Sequence, residues 1–110
     1  MHGIYLKLFM AENLRHHSIL LYEWILQEAH KIGIPGGSAV RAVAGYGRHG
    51  RLHEQHFFEL AGEVPVVLEF FASEEAITGL LALLAAESIS VFYVKFSAEG
   101  GLTSANTNPK

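Results

Sequence analysis

Residues 3–10 divide into two alternating sets, which is the period expected of a β-strand. One face would carry Ile4, Leu6, Leu8 and Met10, and the other Tyr5, Lys7 and Phe9. Residues 38–44, 64–71 and 90–96 predict further strands, because β-branched and aromatic residues are concentrated in them. Pro65 stands close to the start of its segment, where a strand tolerates a missing N–H. The hydrophobic pattern therefore predicts four strands.

Between these strands the apolar spacing changes to that of an α-helix in two places. We expect the first helix to follow Ser18 as its N-cap and to end at Gly33, with Pro35 just beyond. We expect the second to begin at Ser73, whose hydroxyl can accept a hydrogen bond from a backbone N–H. The residues expected to face the core are Leu21, Ile25, Ala29 and Ile32 in the first helix and Ile77, Leu80, Leu81 and Leu84 in the second.

The predicted order of elements is strand, helix, strand, strand, helix, strand, which is typical of the ferredoxin-like fold. We therefore expect an α+β domain, βαββαβ, over residues 1–98, with a four-stranded antiparallel sheet and two helices on one face. Residues 99–110 are expected to form a flexible polar tail. The other face of the sheet would carry Tyr5, Phe9 and further apolar side chains, which predicts self-association through that face.

Composition narrows the classes of function. The 110 residues include 8 Lys and Arg against 11 acidic residues, giving a net charge of −3, which disfavours nucleic-acid binding. Cysteine is absent, which excludes disulfides and thiol nucleophiles. All the acidic residues are glutamate, so a Ser-His-Asp triad is excluded, and we expect no enzyme. We expect a cytoplasmic protein, because neither a signal peptide nor a membrane-length apolar run is visible.

A glycine-rich, basic segment follows the second predicted strand. Gly45, Gly47 and Gly50 spell the dinucleotide-binding pattern G-x-G-x-x-G, but the chain is too short for a Rossmann domain. Glycines also let backbone N–H groups approach an anion, and arginine can hold phosphate or carboxylate in a bidentate manner. The arginines in and beside this segment are Arg41, Arg48 and Arg51. The segment therefore predicts an anion contact, with a solvated hairpin as the alternative.

Histidines offer a candidate metal site. On a helix, His49, His53 and His56 would share a face and could bind zinc, whereas on a strand His56 would point away from the other two. Exposed imidazoles without a metal are the alternative. His16 and His17 are adjacent, and we expect no metal site there because adjacent side chains do not easily bind one ion together.

Glu69 is a carboxylate within an apolar strand. An unpaired buried carboxylate is costly, so we expect Glu69 to have a partner such as Arg41. Such a pair would be structural rather than catalytic.

Several short motifs together resemble the PII-like proteins of domain-of-unknown-function family 190, and the resemblance covers residues 3–96. They are VAGYGR at 43–48, LH at 52–53, VPVVLE at 64–69, LYE at 21–23 and GSAVR at 37–41. The segment from Gly45 to Gly50 also resembles the start of the T-loop in the nitrogen-regulatory PII proteins.

The resemblance implies a ferredoxin-like subunit in a homotrimer that senses a small effector in the clefts between subunits, with an adenine nucleotide as the candidate. It implies a ligand site at the base of a flexible loop, and a target such as a membrane transporter or an enzyme contacted by that loop. The residues implied at the site are Gly45, Tyr46, Gly47 and Arg48, with Arg51 and His53 on the moving loop. With Arg41, the arginine just before this loop, the predicted ligand-binding residues are Arg41, Gly45, Tyr46, Gly47, Arg48 and Arg51.

The chain departs from the PII pattern in the link between its second helix and last strand. PII proteins hold phosphates there with glycine and lysine, whereas this link is Glu87-Ser88-Ile89. The alternatives are therefore an adenosine-like effector without a triphosphate, a small anion, or no ligand at all. A divalent-metal-binding trimer, similar in architecture to copper-tolerance proteins, is the alternative function.

Overall fold

The structure is a computed structural model and describes residues 1–45 and 65–104. Its strands are β1 (His2–Ala11), β2 (Arg15–His16), β3 (Ile19–Leu20), β4 (Gly37–Arg41), β5 (Pro65–Ala72) and β6 (Phe92–Glu99), and its helices are α1 (Leu21–Lys31) and α2 (Glu74–Ala86). The long strands and the helices follow the predicted order, and a short β2–β3 hairpin is added before α1.

The long strands form a four-stranded sheet in the order β4-β5-β1-β6. β1 lies inside the sheet, where Leu8 pairs with Leu68 of β5 on one side and with Tyr93 of β6 on the other. β4 forms an edge and places Ala39 opposite Leu68. All three pairings are antiparallel. This arrangement confirms the predicted ferredoxin-like α+β fold.

The hydrophobic core lies between the sheet and the two helices. Alternate residues of β1 and β5 point to this side because side chains along a strand alternate between its faces. The fully buried large side chains are Leu6, Leu8, Ile25, Leu68, Ile77 and Leu80. Trp24 is also buried in this core, and Leu81 packs against it. The predicted core stripes are confirmed except at Ile32, which is 43% exposed, and Ile34 is buried in its place.

Both helices end in the same backbone motif. After α1, Gly33 has a φ of +98°, its N–H donates to the carbonyl of His30, and the next N–H, that of Ile34, donates to Ala29. These are the paired hydrogen bonds of a Schellman motif, so the predicted end at Gly33 is confirmed. After α2 the equivalent position is Ser88, a residue with a side chain, at a φ of +60°.

The helix starts differ from each other. Ser73 caps α2 as predicted, because its hydroxyl accepts from the N–H of Ala76 at 3.1 Å. Ser18 does not cap α1; the N-cap is Leu20, which makes no side-chain cap hydrogen bond. The prediction of Ser18 was wrong because Ser18 instead lies in the turn of the β2–β3 hairpin, with a φ of +71°.

Strand limits differ by a few residues from those predicted. β4 ends at Arg41 rather than at residue 44, and Val43 beyond it is 97% exposed. β6 begins at Phe92 and continues to Glu99, which pairs with His2. Hydrogen bonds between Met1 and Gly100 extend the same pairing.

Candidate functional site

Several functional candidates meet at one end of the sheet, which we call the loop-base end. β1 and β4 finish there at Ala11 and Arg41, and β5 starts there at Pro65. Residues 46–64 join β4 to β5 at this end. β6 begins opposite Phe9, near the same end, so the link that follows α2 also returns to it. The topology thus gathers the loop, the β2–β3 hairpin and the end of α2.

Among the basic residues of the predicted ligand site, Arg41 lies in the part of the chain that the structure describes. It is exposed, and its Nε donates to Glu12 Oε1 at 3.1 Å while its Nη2 contacts Glu12 Oε2. This bidentate pair holds the pKa of the Glu12 carboxyl below its ordinary value, chiefly through the hydrogen bonds from Arg41. The guanidinium of Arg41 is thus exposed at the loop-base end and is already paired with a carboxylate of the same chain.

Gly45 follows Arg41 at the loop-base end and is exposed. Its φ is +156°, a conformation that residues with side chains rarely adopt, and an added Cβ would meet nothing within 4 Å. Backbone conformation, and not crowding, is thus the reason for glycine here. The other predicted ligand residues, Tyr46, Gly47, Arg48 and Arg51, lie outside the described residues, as do the candidate metal ligands His49, His53 and His56.

Glu69 does not pair with Arg41, so that prediction was wrong. Its carboxylate accepts a hydrogen bond from the Tyr5 hydroxyl at 2.9 Å and lies 3.7 Å from Lys7 Nζ. The reason is geometric: Glu69 pairs with Lys7 across β1 and β5 on the face away from the helices, whereas Arg41 pairs with Val66 on the opposite face. The hydrogen bond to Glu69 raises the pKa of Tyr5 above its ordinary value, with burial adding to it.

A cluster that the sequence did not predict joins the β2–β3 hairpin to the end of α2. The Nε2 atoms of His16 and His17 lie 2.9 Å and 3.3 Å from the same atom, Glu87 Oε1. The hydrogen bond with His16 is the largest cause of a lowered pKa at Glu87. The turn, with a φ of +52° at His17, brings the rings of these adjacent residues to a centroid distance of 4.2 Å.

One signal in the sequence could have suggested part of this cluster. In the predicted βαββαβ order, the chain just after the first strand and the chain just after the second helix reach the same end of the sheet. This order places His16, His17 and Glu87 at the same end of the sheet but does not predict their contacts. The sequence does not predict the tight turn at His17 and Ser18, because the positive φ of such a turn is usually taken by glycine and neither residue is one.

The sheet face away from the helices is largely apolar. Tyr5 stacks on Phe96 with ring centroids 5.4 Å apart, and Phe9 lies beside Phe92 at 5.7 Å. Large side chains remain exposed on it, among them Phe96 at 48%. A shallow groove of about 330 Å³ beside Tyr5 and Glu69 lies toward the end opposite Arg41. We call the apolar surface the open face; its side chains are Val40, Tyr5, Phe9, Val67, Phe71, Phe92, Val94 and Phe96.

Within the part of the chain that the structure describes, neither helix has the length and apolarity needed to cross a membrane.

A family model decides the relationship of this chain. The model of the DUF190 family, described as an uncharacterized ACR, matches residues 3–89, which is well over half of the chain. The chain belongs to the DUF190 family.

Two relatives of this DUF190 chain are UPF0166 proteins. One, from Aquifex aeolicus (strain VF5), is 29% identical over 97 residues, which cover 81% of this chain and 92% of the relative. The other, MJ1524 of Methanocaldococcus jannaschii, is 30% identical over 79 residues, which cover 72% of each chain.

Solved structures with a similar fold are PII-like. CPII from Thiomonas intermedia K12, bound to ADP and bicarbonate, has a TM-score of 0.64 at 18% identity, covering 93% of this chain and 91% of CPII. TTHA0516 of Thermus thermophilus, described as a PII-like signaling protein, has a TM-score of 0.56 at 19% identity and covers 88% of each chain. The fold of this DUF190 chain is therefore PII-like.

Proposed function

We propose that this protein is a PII-like regulatory protein, not an enzyme, that forms a homotrimer and senses an adenine nucleotide. The effector would bind in the cleft between subunits at the loop-base end. Residues 46–64 would then contact a partner, such as a membrane transporter or an enzyme, in the cytoplasm. We expect no nucleic-acid partner, given the net charge of −3.

The observation that carries this proposal is the position of Arg41. It lies at the base of the segment 46–64, is exposed, and presents a bidentate guanidinium to an anion, at present the carboxylate of Glu12. A phosphate group offers the same pair of acceptor oxygens and more charge, so it can replace Glu12 on the guanidinium. CPII, whose fold is similar, has been solved with ADP bound, which supports an adenine nucleotide as the effector.

The open face supports self-association, and the number of three subunits comes from the resemblance to PII-like proteins. An exposed apolar surface of this kind is typical of a protein interface, and burying it between subunits removes aromatic and aliphatic side chains from water. Packing three such faces together would bring the loop-base end of each subunit beside its neighbour. The effector would then bind residues from two chains.

Calorimetric titration with ADP, AMP and ATP tests the effector. We expect at least one of these nucleotides to bind, and Arg41→Ala to weaken that binding about 10- to 100-fold, as loss of a charge-assisted contact does. Lys31→Ala is the matched control, because Lys31 is an exposed cation paired with Glu28 on α1. Unchanged binding in Arg41→Ala, or equal loss in both variants, would contradict the site.

A further inference from the structure

His16 and His17 both contact the same carboxylate oxygen, Oε1 of Glu87. His16 and His17 come from the hairpin before α1, and Glu87 comes from the end of α2, 70 or 71 residues away. One nitrogen from each imidazole and one carboxylate oxygen lie within 4.8 Å of one another. Three ligand atoms of the types that transition metals prefer thus already face one another.

We propose that His16, His17 and Glu87 form a binding site for a divalent first-row transition-metal ion such as Zn²⁺ or Cu²⁺. Metal–ligand bonds of about 2.0–2.1 Å in a tetrahedron put neighbouring ligand atoms about 3.3 Å apart. The separations of 2.9 Å and 3.3 Å between Glu87 Oε1 and the two Nε2 atoms are close to this value. The imidazole nitrogens lie within 4.8 Å of each other, so these side chains have to shift for all three atoms to bind one ion.

The surroundings favour a cation at this place. Glu87 is the C-cap of α2, and the last turn of α2 contains no basic residue to offset the negative end of the helix dipole. Trp24 packs against both imidazoles. Its ring lies edge-on to that of His16 at a centroid distance of 4.5 Å and to that of His17 at 6.1 Å. Side-chain exposure of 19% for His16, 34% for Glu87 and 66% for His17 leaves one side open to solvent.

The ligand set also indicates which ions would bind. Two imidazoles and one carboxylate suit zinc, copper and nickel, whereas magnesium and calcium prefer a shell of oxygen atoms. Three protein ligands leave a fourth position of the tetrahedron for water or another small ligand. Metal binding here does not depend on the effector proposed above, since it uses neither Arg41 nor residues 46–64.

Copper quenching of tryptophan fluorescence gives a local test. Trp24 is the single tryptophan of the chain, and Cu²⁺ quenches a nearby indole whereas Zn²⁺ does not. We expect one equivalent of CuSO₄ to quench the fluorescence of the full chain, and a large excess of ZnSO₄, whose ion binds such ligands more weakly, to reverse the quenching by competition. Quenching only at a large excess of copper would overturn the site.

Matched variants identify the ligands. We expect His17→Gln and Glu87→Gln each to weaken Zn²⁺ binding, measured by calorimetry, at least tenfold, while His30→Gln, an exposed histidine on α1, binds Zn²⁺ as the wild type does. His17 is the most exposed ligand, so its variant keeps the fold, which circular dichroism checks.

Replacing His49, His53 and His56 together with glutamine separates this site from the loop histidines. We expect that variant to keep the quenching of Trp24 and its reversal by Zn²⁺. Loss of metal binding in that variant, with normal binding in His17→Gln and Glu87→Gln, would overturn the proposal and assign the metal to the loop.

Discussion

At the scale of single residues, the charged groups of the loop-base end are held by partners within the chain. Glu12 occupies the guanidinium of Arg41, and the two imidazoles of His16 and His17 occupy one oxygen of Glu87. An external anion or cation must therefore compete with an internal group. The strength of the internal pair sets how tightly the external ion binds, because only the difference between the two interactions contributes.

Removing the charge of Glu12 tests this competition. We expect Glu12→Gln to raise the affinity for ADP several-fold, since a neutral amide competes less well than a carboxylate for Arg41. Glu28→Gln, which removes the partner of Lys31, is the control and should leave the affinity unchanged. Weaker ADP binding in Glu12→Gln would mean that Glu12 positions Arg41 for the nucleotide rather than competing with it.

The raised pKa of Tyr5 predicts a titration at alkaline pH. The hydrogen bond to Glu69 favours the neutral phenol, so Tyr5 should lose its proton above about pH 10, the ordinary value for tyrosine. Because the folded pKa lies above the unfolded one, this interaction stabilises the protein fully below that pH and is lost as the pH rises through the folded pKa. The absorbance difference between wild type and Tyr5→Phe measures it, and a midpoint at or below about pH 10 would contradict the contact.

The sequence indicated that Glu69 needs a partner, but the partner that it suggested, Arg41, was wrong. Tyr5 lies diagonally across from Glu69 on the neighbouring strand, and Lys7 lies directly opposite it. Both relations depend on how β1 and β5 align, and these strands are far apart in the sequence. The expectation of a partner came from the apolar neighbours of Glu69 in the sequence, whereas the identity of the partner follows from the register.

At the scale of elements, the two helices end in the same motif with different residues at the critical position. Gly33 and Ser88 both have positive φ, and both stand directly after the C-cap residue of their helix. A side chain in this conformation costs roughly 1 kcal/mol, which glycine avoids. Serine at position 88 is therefore a local weakness at the end of α2, beside Glu87.

Substitutions at these two positions should have opposite effects on the free energy of unfolding. We expect Ser88→Gly to raise the free energy of unfolding by about 0.5–1 kcal/mol and Gly33→Ala to lower it by about 1 kcal/mol. An added Cβ at Gly33 would meet nothing within 4 Å, so backbone strain is the only cost. Urea denaturation measures both changes, and a destabilised Ser88→Gly would show that the hydroxyl makes a contact of greater value than the relief of strain.

The elements predicted correctly from the sequence are those in which apolar residues recur with a regular period. β1, β5 and both helices carry regular apolar positions that bury Leu6, Leu68, Ile25 and Ile77 in one core. The β2–β3 hairpin was missed because it has two residues per strand and its turn contains no glycine or asparagine. The same omission led to Ser18 being predicted as a helix cap.

At the scale of the whole molecule, the open face is the feature that a single subunit leaves unexplained. The alternation in β1 already predicted an apolar second face, and β6 adds exposed Phe92, Val94 and Phe96 to it. The fold class followed from the order of elements. The number of subunits rests on the resemblance to PII-like proteins, because an apolar face alone does not specify how many copies cover it.

A charge on the open face should break the assembly. We expect Phe96→Glu to reduce the molar mass in solution from that of a trimer to that of a monomer, since an interface would have to bury an unpaired carboxylate. Gln27→Glu adds the same charge to an exposed position of α1 and should remain a trimer. Light scattering after size-exclusion chromatography measures both, and a trimeric Phe96→Glu would show that another surface makes the interface.

Native mass spectrometry with ADP, AMP and ATP added in turn is the sharpest test, because one spectrum reports both the number of subunits and the number of bound nucleotides. We expect a homotrimer that binds up to one molecule of at least one of these nucleotides per subunit, with the bound states lost in Arg41→Ala while the trimer persists. A monomer or dimer, or a trimer that takes up none of the three nucleotides, would contradict the proposed function.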